Sequence, residues 1–124
     1  MDVVVARCAG LDVHRDTVVA TVRWPGKRKN SRGQETRTYP TTQRGLAELS
    51  DWLLLEQVEL VGMEATGVYW KPVFSALEER FTCWLLNAQH MHNVPGRKTD
   101  VADSVWIAQL LEHGLVRPSF VPPR

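Results

Sequence analysis

Short apolar runs rich in β-branched residues open the chain. The segments "VVVARCAGLDV" (3–13) and "TVVATVRW" (17–24) are separated by a short turn, and "ETRTYP" (35–40) alternates in the manner of a half-exposed strand. Such runs are typical of strands, and a short polar turn between two of them favours a hairpin. The first 40 residues therefore predict three antiparallel strands.

Helical and strand patterns alternate after this point. Thr42 is a good N-cap for "QRGLAELSDWLLLEQ" (43–57), in which leucines recur at helical spacing. Next come an apolar run, "VELVGMEA" (58–65), an amphipathic segment, "GVYWKPVFSALEERF" (67–81), and a second apolar run, "TCWLLNA" (82–88). These segments predict helix, strand, helix and strand.

A last helix is predicted over "TDVADSVWIAQLLEHG" (99–114), with Thr99 as N-cap and Gly114 as the residue that ends it. The tail "RPSFVPPR" (117–124) has the proline content of a linker. The order βββαβαβα predicts an α/β fold with a mixed five-stranded sheet flanked by helices. This is the ribonuclease H-like arrangement, and actin-like and sugar-kinase ATPases share the same order.

Four acidic residues occupy positions where strands end or a helix begins. Asp12 and Glu64 each close an apolar strand, and if those strands are adjacent the two carboxylates converge at one edge of the sheet. Asp100 and Asp103 lie three residues apart, on one face of the predicted last helix. Acids in a first turn also stabilise helices that bind nothing, because they face the positive end of the helix dipole.

The last helix of such a fold packs near that same edge of the sheet, which would bring Asp100 and Asp103 up against the two strand acids. Four carboxylates that share one small space require counter-ions. Hard oxygen ligands without paired cysteine or histidine suit Mg²⁺ or Mn²⁺ better than zinc. Two such ions about 4 Å apart activate a nucleophile and stabilise the leaving oxygen in phosphodiester chemistry. The pattern predicts a two-metal site made of Asp12, Glu64, Asp100 and Asp103.

The composition fits one domain. The chain has 124 residues, of which 44% are hydrophobic and 23% charged. Cys8 and Cys83 fall in predicted strands without a CxxC spacing, which indicates reduced core thiols. No apolar run approaches the roughly 20 residues needed to span a bilayer. We therefore expect a cytoplasmic protein with no membrane partner.

The cations are unevenly placed. A formal net charge of +1 argues against coating nucleic acid by bulk electrostatics, so any contact must be local. Two groups are candidates to contact phosphates, and solvated surface is the alternative for both. One group lies in the loop before the third strand and the other precedes the last helix: Lys27, Arg28, Lys29 and Arg32, and Arg97 and Lys98.

Two further motifs favour structural explanations. His90 and His92 alternate in "QHMHN" but lack further ligands nearby, so a polar loop is expected rather than a zinc site. Tyr69 and Trp70 follow Glu64 closely, and packing in the core is favoured over direct DNA contact.

Three blocks carry a family resemblance: "GLDVHRDTVVATVR" (10–23), "GMEATGVYWKPVFSALE" (62–78) and "LLNAQHMHNVPGRKTDVADSVWIAQLLEHGLVRPSFVPP" (85–123). They resemble the N-terminal, RuvC-like domain of the DEDD insertion-sequence transposases, which include the Piv invertase and the bridge-RNA-guided recombinases. The four-acid motif of that family maps onto Asp12, Glu64, Asp100 and Asp103. Arg15 and Ser104 depart from it, since lysine and alanine are usual there.

The resemblance implies strand cleavage and exchange on DNA, a structured guide RNA, and a homo-oligomer in the full-length protein. It implies a prokaryotic protein that acts at the nucleoid. It also implies a second domain that carries a serine nucleophile. We expect the catalytic domain over residues 1–116 and the start of a linker over 117–124, with the serine domain absent from this chain. By itself such a fragment is expected to be inactive in recombination.

Other functions stay open. An endonuclease like the Holliday-junction resolvases would use the same acids, and a non-catalytic nucleic-acid-binding module would keep them without cutting. An actin-like ATPase is disfavoured, because "DVHRD" (12–16) lacks a glycine after the strand aspartate and "GRKT" (96–99) fails the P-loop pattern.

Overall fold

A computed structural model describes residues 2–98 and 100–119 of the chain. Its centre is a five-stranded sheet in the order β3-β2-β1-β4-β5. Strands β1, β2 and β3 are antiparallel neighbours, whereas β4 runs parallel to both β1 and β5. The mixed sheet and the adjacency of β1 and β4 were both predicted. The strands are β1 (Cys8–Val13), β2 (Thr17–Pro25), β3 (Arg32–Pro40), β4 (Leu60–Glu64) and β5 (Thr82–Leu86).

Helices cover both faces of the sheet. One hydrophobic cluster joins the sheet to the first two helices, and a second cluster joins its other face to the last two. Thr42 caps the first helix as predicted, because its hydroxyl accepts a hydrogen bond from the Gly45 amide at 3.0 Å. The helices are α1 (Gln43–Leu55), α2 (Trp70–Leu77), α3 (Ala88–His92) and α4 (Asp103–Glu112).

Several element boundaries differ from the predicted ones. Strand β1 begins at Cys8 rather than at Val3, because Cys8 is the first residue that pairs with β4. Helix α2 begins at Trp70, because Gly67 has a φ of +64°, a left-handed conformation that no helix continues. Strand β3 starts at Arg32, because β2 is long enough to pair with it there.

Helix α3 was not predicted. The segment around His90 and His92 forms one short helix instead of a polar loop. Asn87 precedes it, and its side-chain oxygen accepts a hydrogen bond from the His90 amide at 3.1 Å. This N-cap is the local signal that sequence analysis missed.

The last helix is shorter than predicted. Helix α4 begins at Asp103, and Ala102 before it is extended and offers no side-chain cap. The predicted cap, Thr99, lies outside the described residues. Asp100 sits in a turn ahead of the helix, so Asp100 and Asp103 do not share a helical face. Gly114, with a φ of +67°, follows the helix end as expected.

Within the two described ranges, no helix is long and apolar enough to cross a membrane. Residues at the end of the second described range contact the rest of the fold. The Ser119 amide donates a hydrogen bond to the carbonyl of Leu85 at 2.7 Å, and Val116 is buried.

Candidate active site

Two of the candidate carboxylates lie side by side at one end of the sheet. Asp12 is near the carboxyl end of β1, and Glu64 ends β4, its parallel neighbour. The register pairs Gly10 with Gly62, so Asp12 and Glu64, two positions further on, come level and share the face of those glycines. Adjacent strands are about 4.8 Å apart. The two carboxylates therefore leave the sheet close together.

Helix α4 covers this same face. A Cβ on Gly10 would overlap the Ser104 carbonyl oxygen and would lie 2.5 Å from the Ala108 nitrogen. A Cβ on Gly62 would lie 2.8 Å from a methyl carbon of Leu111. No side chain fits between the helix and these two strand positions, so α4 lies directly on the paired glycines. Asp12 and Glu64 consequently project from the sheet on the α4 side.

The direction of α4 brings its first residue toward the strand acids. The Cys8 thiol donates a hydrogen bond to the Ala108 carbonyl at 3.4 Å, and Gly10 lies against Ser104. Going along β1 toward Asp12 thus corresponds to going back along α4 toward its start. Asp103 is the first residue of α4, so it lies at the same end of the sheet as Asp12 and Glu64.

Each of these three acids has a partner close by in the sequence. An Asp12 oxygen lies 3.0 Å from the Nε2 atom of His14. Glu64 accepts a hydrogen bond from the Thr66 hydroxyl at 2.6 Å. The third contact is an ion pair.

Arg97 holds Asp103. Its guanidinium donates to the Asp103 carboxylate at 2.6 Å and to the Val101 carbonyl at 2.7 Å. The Asp103 side chain is 52% exposed. The turn that contains Asp100 lies between these partners, and the Val101 amide there donates to the Lys98 carbonyl at 3.2 Å. Arg97 therefore contacts both Val101 and the first residue of α4.

The four carboxylates do not form one cluster in this structure. Among residues 2–98 and 100–119, which include all four, no group of three or more His, Cys, Asp or Glu side chains could hold a metal ion. Asp103 faces Arg97 instead of the strand acids. The donor chemistry nevertheless fits Mg²⁺ or Mn²⁺, since Asp12 and Glu64 supply hard oxygens at one strand edge and Asp103 begins the covering helix.

The candidate cations of the β2–β3 turn differ in exposure. Lys27, Arg28 and Lys29 are exposed in the turn between the strands. Arg32 is different, because its side chain is 13% exposed and its Nε atom lies 3.0 Å from the carboxylate of Glu112. The Arg32 side chain is therefore largely buried in an ion pair. Of these four cations, the three turn residues are the ones that nucleic acid could reach.

Lys98 is exposed as well, one residue after Arg97. A second, accessible cation therefore follows the arginine of the Asp103 ion pair in the chain.

Aromatic residues next to Glu64 divide between surface and core. Tyr69 is 50% exposed and Val68 is 60% exposed, so the interpretation that Tyr69 packs in the core is wrong. Trp70 does pack against the core, and its indole nitrogen donates to the Gly67 carbonyl at 3.1 Å. A large exposed apolar pair thus lies four to five residues beyond Glu64 in the chain.

The cysteines have the properties of core thiols. Burial, and the nearby charge of Glu112, raise the pKa of Cys8 to about 12. Burial, and the charge of Glu78, raise the pKa of Cys83 to about 12. Both are free thiols. Since the thiolate is the reactive form, neither side chain is suited to nucleophilic or redox chemistry near neutral pH.

Comparison with known families agrees with this geometry. The chain matches the family model of DEDD transposases of the IS110 type, whose description is "Transposase", over residues 9–124. The chain belongs to this transposase family. Comparison with curated proteins gave no significant match.

Solved structures define the fold of this transposase chain. It is similar to RuvC of Thermus thermophilus, with a TM-score of 0.63 and 14% identity, over 91% of this chain and 99% of that chain. It is also similar to T. thermophilus RuvC in complex with a Holliday junction substrate, with a TM-score of 0.60 and 13% identity, over 92% and 99%. The predicted ribonuclease H-like, RuvC-like fold is confirmed. The family model thus identifies a transposase domain, and the solved structures show that its fold is RuvC-like.

Proposed function

We propose that this chain is the metal-dependent catalytic domain of a DNA transposase, which acts on DNA phosphodiesters through Asp12, Glu64, Asp100 and Asp103. The observation that carries the proposal is the level placement of Asp12 and Glu64 on adjacent parallel strands, under the start of α4. Carboxylate oxygens brought together at one strand edge are the ligands that hard divalent ions prefer.

In this proposal the four carboxylates hold Mg²⁺ or Mn²⁺, as two ions. Bound there, such ions would activate a nucleophile and stabilise the leaving oxygen of the phosphodiester. Asp103 would release Arg97 in order to bind a metal. The freed guanidinium, together with Lys98, would then bind a DNA phosphate beside the metals, for which its planar donors are well suited.

Nucleic acid would also contact the surface outside the acids. Lys27, Arg28 and Lys29 project from an exposed turn, and such contacts position a backbone without specifying sequence. We propose a structured guide RNA or the DNA itself as their partner. The exposed ring of Tyr69, close to Glu64 in the chain, offers a surface on which an unpaired base would stack.

Strand exchange would require more than this domain. We propose that a serine-bearing domain supplies the nucleophile and that the full-length protein works as a homo-oligomer. The 124-residue chain alone would then give no recombination, with at most weak nicking by water.

Metal binding is the first test. Mn²⁺ is expected to raise the melting temperature of the wild-type chain, because a ligand that binds only the folded state stabilises it by mass action. Asp12→Asn should lose most of that shift. Asp16→Asn is the matched control, since Asp16 lies in the turn just after β1 with an 87% exposed side chain. Equal metal effects in all three proteins, measured by calorimetry, would refute the metal site.

Activity is the second test. In a protein that also carries the serine-bearing domain, Glu64→Ala or Asp103→Ala should lower recombination by about 100-fold or more, because a metal ligand is lost. Binding to DNA should change little, since affinity rests mostly on cation contacts to phosphate. Gel shifts and recombination assays on the same variants measure both, with a Holliday junction as a parallel substrate. Full recombination by either variant would leave a non-catalytic module as the better description.

A further inference from the structure

Three hydroxyl groups form a chain that links the sheet to the start of α4. The Thr36 and Thr21 hydroxyl oxygens are 2.7 Å apart, and the Thr21 and Ser104 hydroxyl oxygens are 2.9 Å apart. Thr21 is 0% exposed and Ser104 is 1% exposed. The row of hydroxyl groups thus passes from β3 through β2 to α4, and the hydrogen bond between Thr21 and Ser104 is fully buried.

The hydroxyl chain is part of one row across the sheet. The strand register aligns Thr36 with Thr21, Thr21 with Gly10, and Gly10 with Gly62. The two glycines leave room for α4, and Thr21 beside them bonds to Ser104 on that helix. Two strands therefore determine how closely the helix approaches, and a third strand provides a directional bond to it.

Helix α4 needs such a bond because its own cap is weak. Ala102 occupies the N-cap position and makes no side-chain hydrogen bond to the helix. An N-cap serine, threonine, aspartate or asparagine accepts a hydrogen bond from an amide of the first turn and so stabilises the start of a helix. Ser104, the second residue of α4, is instead bonded to the sheet.

We infer that Thr21 is a positioning residue, which, through the Ser104 hydroxyl, holds the first turn of α4 and so places Asp103 at the end of the sheet where Asp12 and Glu64 lie. Asp103 directly precedes Ser104 in the chain. The consequence for metal binding rests on the proposed function, whereas the hold on the helix does not.

Three variants separate a directional bond from simple core packing. Thr21→Val keeps the volume but leaves the buried Ser104 hydroxyl without its partner. Thr21→Val with Ser104→Ala removes both buried hydroxyls, and exposed Thr36 is then free to bond to water. Thr21→Ser keeps the hydroxyl and is the conservative rescue. Urea unfolding shows whether each variant folds, and the double variant is expected to keep most of the stability that Thr21→Val loses.

Amide hydrogen exchange within α4 measures directly how firmly the first turn of the helix is held. The Trp106 amide bonds to the Ala102 carbonyl at 2.9 Å at the start of the helix, and the His113 amide bonds to the Gln109 carbonyl at 3.2 Å at its end. Exchange at Trp106 relative to His113 should rise about tenfold in Thr21→Val and in the double variant, the effect of one lost buried hydrogen bond. Thr21→Ser should match the wild type. An unchanged ratio in the first two variants would overturn the inference.

Mn²⁺ titration tests whether the hydrogen bond between Thr21 and Ser104 increases the affinity of the site for metal. The double variant should bind Mn²⁺ several-fold more weakly than the wild type, and Thr21→Ser should bind it equally well. Wild-type affinity in the double variant, with altered exchange at Trp106, would overturn the positioning role of Thr21. If the wild type itself bound no Mn²⁺, the proposed function would fail, and the exchange ratios would still decide whether Thr21 holds the helix.

Discussion

At the scale of single residues, three of the four candidate acids have a partner close by in the sequence. The partners of Asp12 and Glu64 each lie two residues away, and the partner of Asp103 lies six residues away. Such local contacts stabilise separated carboxylates without any metal. Among these contacts, that of Arg97 with Asp103 is the one in which a permanent positive charge occupies a candidate ligand.

Arg97→Gln is expected to increase the affinity for Mn²⁺ about two- to five-fold, because a cation that competes for Asp103 is removed. The effect is modest since the Arg97 side chain is 31% exposed and solvent screens the charge. Isothermal titration measures it.

Arg44→Gln is the control for Arg97→Gln. Arg44 pairs with Glu48 on the surface of α1 with 91% of its side chain exposed, so its loss changes the net charge equally but far from the acids in the sequence. Weaker Mn²⁺ binding by Arg97→Gln would show instead that Arg97 supports the site.

At the scale of elements, the site depends on how closely α4 approaches the sheet. Gly10 and Gly62 form one register pair, and the helix backbone lies where a side chain on Gly10 would be. Strand β1 and helix α4 thus pack in direct contact at Gly10, where the strand has no side chain. A shift of α4 would move Asp103 relative to Asp12 and Glu64.

Gly10→Ala should destabilise the fold by about 1–3 kcal/mol or more, since the new methyl group would push against the helix backbone at Ser104 and Ala108. Urea unfolding measures this loss. Mn²⁺ affinity should fall in parallel, because the first turn of α4 is displaced.

Gly67→Ala separates crowding from backbone strain. An added Cβ there meets nothing within 4 Å, and the cost comes only from the left-handed φ of +64°, about 1–2 kcal/mol. If Gly10→Ala cost no more than Gly67→Ala and kept its metal affinity, close packing of α4 would not control the site.

At the scale of the whole molecule, a buried ion cluster joins α4 to the antiparallel half of the sheet. Glu112 is 1% exposed and forms ion pairs with Arg23 on β2 and Arg32 on β3, whose side chains are each 13% exposed. Its backbone carbonyl also accepts from the Val4 amide at 2.7 Å. The carboxyl end of α4 is therefore held to β2, β3 and the amino-terminal segment at once.

Glu112→Ala is expected to cost about 3–5 kcal/mol, because it leaves two arginines largely buried without their partner. The measurement is the free energy of unfolding in urea. Glu48→Ala, which breaks an exposed pair with Arg44, should cost less than about 1 kcal/mol. Similar small losses in both variants would mean that the Glu112 cluster adds little to the fold.

Local sequence signals predicted much of this molecule. Thr42 and the leucines after it identified α1, since a cap and an apolar stripe act within a few residues. Apolar runs identified β1, β2, β4 and β5, and an alternating pattern identified β3. The order of the strands and helices identified the topology. Asp12 and Glu64 could be placed together because parallel neighbours end at one edge of the sheet.

Tertiary contacts decided what local signals misplaced. The pattern favoured a helix from Thr99, whereas α4 begins at Asp103, where Arg97 contacts the first carboxylate and Thr21 bonds to Ser104. Arg32 had the appearance of a surface cation, and its burial against Glu112 depends on a residue 80 positions away in the chain.

The sequence by itself thus determined the five strands, three of the four helices in the described part of the chain, their order and the pair of strand acids. It could do so because hydrophobic period, caps and turns are local and the topology follows from few rules. Only the tertiary structure decided where α4 begins, which charges face inward and how Asp103 is held. Those outcomes depend on distances between residues far apart in the chain, and no periodicity encodes such distances.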